Sequence, residues 1–204
     1  MFCETHKLFI TFNKVNILED ISINIENEKT TVIIGKNGSG KTVLLRCINN
    51  LIRPTSGFLK SKYNIPIPML FQKPMTFYGT IQYNFEILCN IKKKQPSLKW
   101  YHSFNLDKIS KKNIYEVSSG EQQKIYLSRI MSIDSEVIIM DEPNQNLDKE
   151  NDQKLIDLIL NEKEKNKTII FTLHNTEIVK KIADKLIVLD RGNVIFNGSP
   201  NRFF

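Results

Sequence analysis

The run Gly35-Lys36-Asn37-Gly38-Ser39-Gly40-Lys41-Thr42 constrains this chain more than any other stretch. It follows Thr30 to Ile34, a β-branched run suited to a strand buried on both faces. It precedes Thr42 to Leu51, where apolar residues fall at helical spacing until Pro54 and Gly57 end the pattern. The run fits the spacing G-x-x-x-x-G-K-[ST]. Glycines let the backbone curl so that its N–H groups converge, and the following helix adds the positive end of its dipole. Lys41 adds a full charge suited to β- and γ-phosphates, and the Thr42 hydroxyl is a candidate Mg²⁺ ligand.

A second constellation lies further along. Val137-Ile138-Ile139-Met140 reads as a buried strand delivering two adjacent carboxylates, Asp141 and Glu142, followed by Pro143. Asp141 at the strand end is placed to hold Mg²⁺, and Glu142 to polarise an attacking water as general base. An apolar run ending in Asp-Glu is weak evidence alone. Downstream of a phosphate loop it becomes specific.

The rest of the chain frames these motifs. Lys7 to Phe12 alternates in part and Ile21 to Ile25 strictly, as half-buried antiparallel strands do. Residues 76–133 read as a short helical subdomain inserted into the core: Ile81, Phe85 and Leu88 keep helical intervals, Pro96 breaks them, and Leu98 to Leu106 and Gln122 to Ser132 resume them. Asn151 to Glu164 reads as a helix, Thr168 to Leu173 and Leu186 to Leu189 as strands, and Asn193 to Asn197 as a closing hairpin arm. Strands alternating with helices imply a mostly parallel sheet wrapped by helices, an α/β fold. The 204 residues are expected to form a single domain, 1–204.

Composition limits the alternatives. Hydrophobic residues make up 41% and charged residues 25%, ordinary for a globular protein. The net charge of +7 comes from scattered groups such as Lys92-Lys93-Lys94 and Lys180-Lys181, which suit solvated faces better than a nucleic-acid stripe. No nucleic-acid partner is expected. Cys3, Cys47 and Cys89 form no CxxC pair, which fits reduced, buried thiols. Met1 to Ile10 carries Glu4, His6 and Lys7 and lacks the apolar core of a signal peptide. No uncharged stretch approaches the roughly 20 apolar residues of a membrane helix.

With these motifs in order, the chain resembles the ATP-binding-cassette (ABC) ATPase family. Val117-Ser118-Ser119-Gly120-Glu121-Gln122-Gln123-Lys124 resembles the family signature LSGGQQQR, which opens a helix and contacts ATP held by the opposite subunit. The resemblance implies ATP and Mg²⁺ as ligands, with nucleotide contacts from Gly35, Asn37, Gly38, Ser39, Gly40, Lys41, Thr42 and Val43, and from the signature residues Ser118, Gly120 and Glu121. Gln72, in Leu70-Phe71-Gln72-Lys73-Pro74, matches the family glutamine that reaches Mg²⁺ or the attacking water. His174, in Thr172-Leu173-His174, matches the switch histidine, and Asp148, in Asn146-Leu147-Asp148, the loop preceding it. Phe12 stands where the family often stacks an aromatic ring on adenine. The implied catalytic set is Glu142, His174, Gln72 and Lys41, and the implied metal set Thr42, Gln72 and Asp141.

The fold implied is the P-loop ABC ATPase fold, with an N-terminal antiparallel β subdomain beside the mostly parallel sheet. The implied partners are a second ATPase subunit, as a homodimer in the working state, membrane permease subunits and, indirectly, a solute-binding protein. That places the chain in the cytoplasm, peripheral to the inner face of the cell membrane. Phe-Gln-Lys-Pro and Gly-Glu-Gln-Gln-Lys resemble importers of oxyanions such as tungstate, molybdate or phosphate. The alternative is a soluble ABC-type ATPase without a permease, acting in assembly or nucleic-acid processes. Ser119 and Glu121 depart from the signature pattern, which bears on turnover more than on class.

Overall fold

The computed structural model describes residues 1–173 and 175–204. In chain order the strands are β1 (Cys3–Phe12), β2 (Val15–Ile21), β3 (Asn24–Ile25), β4 (Thr30–Gly35), β5 (Ser56–Ser61), β6 (Met69–Leu70), β7 (Val137–Met140), β8 (Thr168–Thr172), β9 (Lys185–Asp190) and β10 (Asn193–Gly198). The α-helices are α1 (Lys41–Ile48), α2 (Ile81–Lys92), α3 (Lys99–Ser103), α4 (Ser119–Met131), α5 (Lys149–Glu164) and α6 (Thr176–Ile182).

Six strands form one sheet in the order β10-β9-β4-β8-β7-β6. All its pairings are parallel except the closing β9–β10 hairpin. Beside it β1 pairs antiparallel with β2, β3 and β5. The expected fold class holds: a mostly parallel sheet flanked by helices, an antiparallel N-terminal sheet, and α2 to α4 inserted between β6 and β7.

The parallel sheet is apolar on both faces, and the alternation along each strand divides the core in two. Val32 and Ile34 of β4, with Ile138 and Met140 of β7, pack under α4, α5 and α6 together with Phe85 and Trp100 of the inserted helices. Ile33, Val137 and Ile139 face the other way, onto α1 (Leu44, Leu45, Ile48) and the antiparallel sheet (Leu8, Ile10, Leu18). Burying one such aliphatic side chain contributes about 1.5–3 kcal/mol, so the strands at the centre are the least movable part of the chain.

Three local expectations needed correction. The alternation at Ile21 to Ile25 is not one strand: β2 ends at Ile21 and β3 holds only Asn24–Ile25. Thr5 explains the break, because its hydroxyl donates to the Ile21 carbonyl at 2.9 Å and accepts from the Ile23 N–H at 3.1 Å. The second inserted helix is shorter than Leu98 to Leu106: α3 stops at Ser103 and Asn105 turns left-handed before a 3₁₀ turn. The first helix ends at Ile48, with Asn50 at φ 56°, well before Pro54.

A buried guanidinium ties the inserted helices together. Arg129 of α4 donates to the Asn84 carbonyl and the Met75 carbonyl, each at 2.7 Å, and to Asn84 Oδ1 at 3.0 Å. It also lies over the rings of Phe77 and Tyr126. The segment between β6 and α2 is thereby fastened to α4. A second buried charge sits at the end of α5. Glu162 accepts from Lys167 at 2.7 Å, Lys165 at 3.0 Å and Lys99 at 3.3 Å. Burial pushes the carboxyl up, but the hydrogen bonds and charges of Lys167 and Lys165 overcome it and hold the pKa at about 2.

A group held below its unfolded value stabilises the fold fully above that value and progressively less as pH falls toward the folded one. Glu162 is therefore expected to contribute about 2–3 kcal/mol at neutral pH, lost between about pH 4.5 and pH 2. Urea midpoints at pH 6 and pH 3 check this. Glu162→Gln should lower the midpoint at pH 6 and flatten its pH dependence; an unchanged slope would remove Glu162 from the acid response.

Candidate active site

β4 leads into the loop 35–40, and α1 begins at once after it. Gly40 stands at the helix N-cap with φ 100°, a conformation costly for residues with a Cβ. A Cβ there would also lie 2.6 Å from Leu18 Cδ2 of β2. The loop can therefore close only with glycine at this place. Among the described residues no side chain caps α1, and its first turn carries no acid. Its leading amide groups and dipole remain available to an anion.

Lys41 is buried, with Nζ donating to the Gly35 carbonyl at 2.9 Å and the Lys36 carbonyl at 3.2 Å. Burial lowers its pKa, while the charges of Glu142 and Asp141 act in the opposite direction. The two carbonyls hold the ammonium across the mouth of the loop. Among the described residues Ser39 Oγ is buried without a hydrogen-bond partner.

β7 ends at the same place. Asp141 is buried and accepts from the Thr42 hydroxyl at 2.7 Å through Oδ2 and from the Thr172 hydroxyl at 2.7 Å through Oδ1. Glu142 has φ 50°, left-handed for a non-glycine residue, and its N–H donates to Thr172 Oγ1 at 2.8 Å. Gln72 Nε2 donates to Glu142 Oε2 at 3.0 Å. One hydroxyl from β8 thus anchors both acidic positions. Backbone held in a sparsely populated region persists where neighbours over-determine it, and Glu142 is in that position.

These residues enclose a cleft of about 510 Å³ lined by Ile17, residues 37–43, Gln72 and Glu142. The donor set fits a metal-bound polyphosphate. A loop of backbone N–H groups and a buried ammonium face one hydroxyl and one buried carboxylate, hard oxygen donors of the kind Mg²⁺ takes.

The structure gathers three stretches far apart in sequence: Lys41 and Thr42, Gln72, and Asp141 with Glu142. Phe12 is 46% exposed at the end of β1, so it has no core role, and it does not line the cleft, whose wall includes Ile17. Ser118, Gly120 and Glu121 lie at the start of α4 and do not line the cleft. His174 lies outside the described residues. Asp148 caps α5, accepting from the Asn151 N–H at 2.8 Å.

Two participants escaped the sequence reading. Thr172 was visible only as a β-branched strand residue beside His174. Ile17 belongs to β2, whose mixed run Val-Asn-Ile-Leu-Glu-Asp-Ile carries no clear period.

The family model for ABC transporters matches residues 18–145. The chain belongs to the ABC transporter family. It is the ATP-binding, ATP-hydrolysing component of that family. The energy-coupling factor transporter ATP-binding protein EcfA2 of Mycoplasmoides gallisepticum is 30% identical, over 92% of this chain and 69% of its own length. The arginine transport ATP-binding protein ArtM of Bacillus subtilis is 27% identical, over 98% and 92% respectively. The cbiO1 structure from Clostridium perfringens, part of the ABC transporter complex cbiONQ, superposes with a TM-score of 0.81 at 22% identity, covering 100% of this chain and 90% of that one. The dimeric cassette MJ0796 in a post-hydrolysis state, bound to ADP and Pi, gives 0.85 at 20% identity, covering 97% and 98%.

No helix among the described residues is long and apolar enough to cross a membrane.

Proposed function

We propose that two copies of this chain clamp two ATP molecules between the cleft of one and the α4 start of the other, and that closure drives a membrane permease. The supporting observation is geometric. The cleft is lined by the phosphate loop, Gln72 and Glu142, with Asp141 bonded to Thr42 beneath it, while Ser118 stands exposed outside it. A signature residue that cannot serve its own site can serve a neighbour's. The MJ0796 cassette was solved as a dimer, cbiO1 is part of a transporter complex, and EcfA2 and ArtM bear the names of transporter components.

In this reading residues 1–204 act as one cassette, with 76–133 as the helical subdomain that carries the signature. Gly35 to Val43 hold the phosphates, and Phe12 stacks on the base. Thr42, Asp141 and Gln72 hold Mg²⁺, which supplies charge neutralisation at the γ-phosphate. Glu142 takes the proton of the attacking water, and His174 contacts the γ-phosphate. The working position is the cytoplasmic face of the membrane, against permease subunits. The oxyanion reading rests on two short stretches, whereas these relatives carry energy-coupling factor and arginine names. We therefore propose solute import as the task, with the solute chosen by the permease or a binding protein.

Mixing tests the shared site. Lys41→Ala destroys the phosphate loop and Ser118→Arg blocks the signature, so neither variant alone should turn over ATP. Mixed, they form heterodimers containing one intact composite site, and hydrolysis is expected to return to a sizeable fraction of wild type. No recovery at any ratio would overturn the shared-site reading.

A further inference from the structure

The start of α4 is closed upon itself. Glu121 Oε2 accepts from the Ser118 N–H and from the Ser118 hydroxyl, both at 2.9 Å, while the Glu121 N–H donates to Ser118 Oγ at 3.2 Å. These Ser118 groups are the ones that would meet an incoming γ-phosphate, and all are engaged by a carboxylate from their own helix. The backbone and side-chain hydrogen bonds from Ser118 hold that carboxyl below its ordinary range, so it is ionised at neutral pH. Its charge also sits at the helix end where the dipole favours one anion. A Cβ on Gly120 would lie 2.8 Å from the Asn146 carbonyl, so α4 starts in close contact with the loop before α5.

We infer that Glu121 is a positioning residue that acts as a built-in competitor for the γ-phosphate, holding Ser118 in the separated chain and so setting the ATP level at which two copies close. This rests on the shared-site reading above. A phosphate entering from the partner must take over the Ser118 hydroxyl and amide and displace the carboxylate from the helix end. The carboxylate can swing toward Lys124 and Lys112, whose charges already act on it. Glutamine at the same place would still cap the helix, because Gln serves the reciprocal capping arrangement as Glu does. It would hold Ser118 by neutral hydrogen bonds, about half as strong, and would not repel the phosphate.

The experiment is ATP titration of dimer formation, followed by sedimentation velocity with Mg²⁺, in chains carrying Glu142→Gln to prevent turnover. Adding Glu121→Gln should lower the half-maximal ATP concentration about tenfold, equivalent to about 1.4 kcal/mol. Adding Glu121→Ala should also lower it, although it removes the cap. A purely structural cap predicts neither decrease, with Gln neutral and Ala raising the midpoint; an unchanged or raised midpoint with Gln overturns the inference. Ser118→Ala separates the two levels of the argument. It should raise the midpoint or prevent dimers, and if it dimerises like its parent the shared-site reading itself falls.

Discussion

Glu142→Gln is expected to cut ATP turnover by at least about a hundredfold while prolonging the ATP-bound dimer. General-base catalysis contributes roughly 10²–10⁴ in rate, and the amide cannot accept the water's proton. The substitution is nearly isosteric. The backbone of residue 142 is held by the Thr172 hydroxyl, and the Gln72 amide that donates to Glu142 Oε2 at 3.0 Å can donate equally to a glutamine carbonyl oxygen. The φ of 50° is unaffected, because the left-handed backbone depends on the neighbours and not on the charge. Binding and closure should therefore survive while chemistry stops. Single-turnover hydrolysis, with dimer lifetime by sedimentation, checks both halves. Turnover near wild type would assign the base elsewhere, and loss of ATP binding would mean that Glu142 serves the loop rather than the water.

Lys41→Ala acts earlier, on binding. The ammonium is buried and held by two loop carbonyls, positioned before any phosphate arrives. Charge-assisted hydrogen bonds contribute about 1.5–3 kcal/mol each, so losing two toward a triphosphate weakens binding by about 10²–10⁴. The fold should tolerate the change, because α1 is anchored by Leu44, Leu45 and Ile48 in a core that Lys41 does not share. Calorimetric titration of nucleotide, alongside a thermal melt showing a folded chain, is the measurement. Affinity within a few-fold of wild type would separate Lys41 from the phosphates.

Much of the site was readable because its parts are short and local. The loop from Gly35 to Thr42 is a contiguous run whose backbone shape follows from its glycines, and β7 announces itself by four apolar residues before Asp141. What escaped was held by single hydrogen bonds between distant elements. The interruption between β2 and β3 comes from the Thr5 hydroxyl, a residue with no reason to stand out. The role of Arg129 in fastening Met75 and Asn84 to α4 is equally invisible, since one Arg on a helix looks like any solvated cation. Burial brings its pKa down to about 10, against the opposing influence of Tyr126.

The order of motifs, the alternation of strands and helices, and the chemistry of Lys41, Asp141 and Glu142 were determined by the sequence itself, because each depends on residues adjacent along the chain. The tertiary structure decided that Thr172 joins Asp141 to Glu142, that Ile17 walls the cleft, and that Ser118 lies outside it. Those outcomes depend on which elements pack together. A hydroxyl is indifferent to its role until a sheet register places a carboxylate 2.7 Å away.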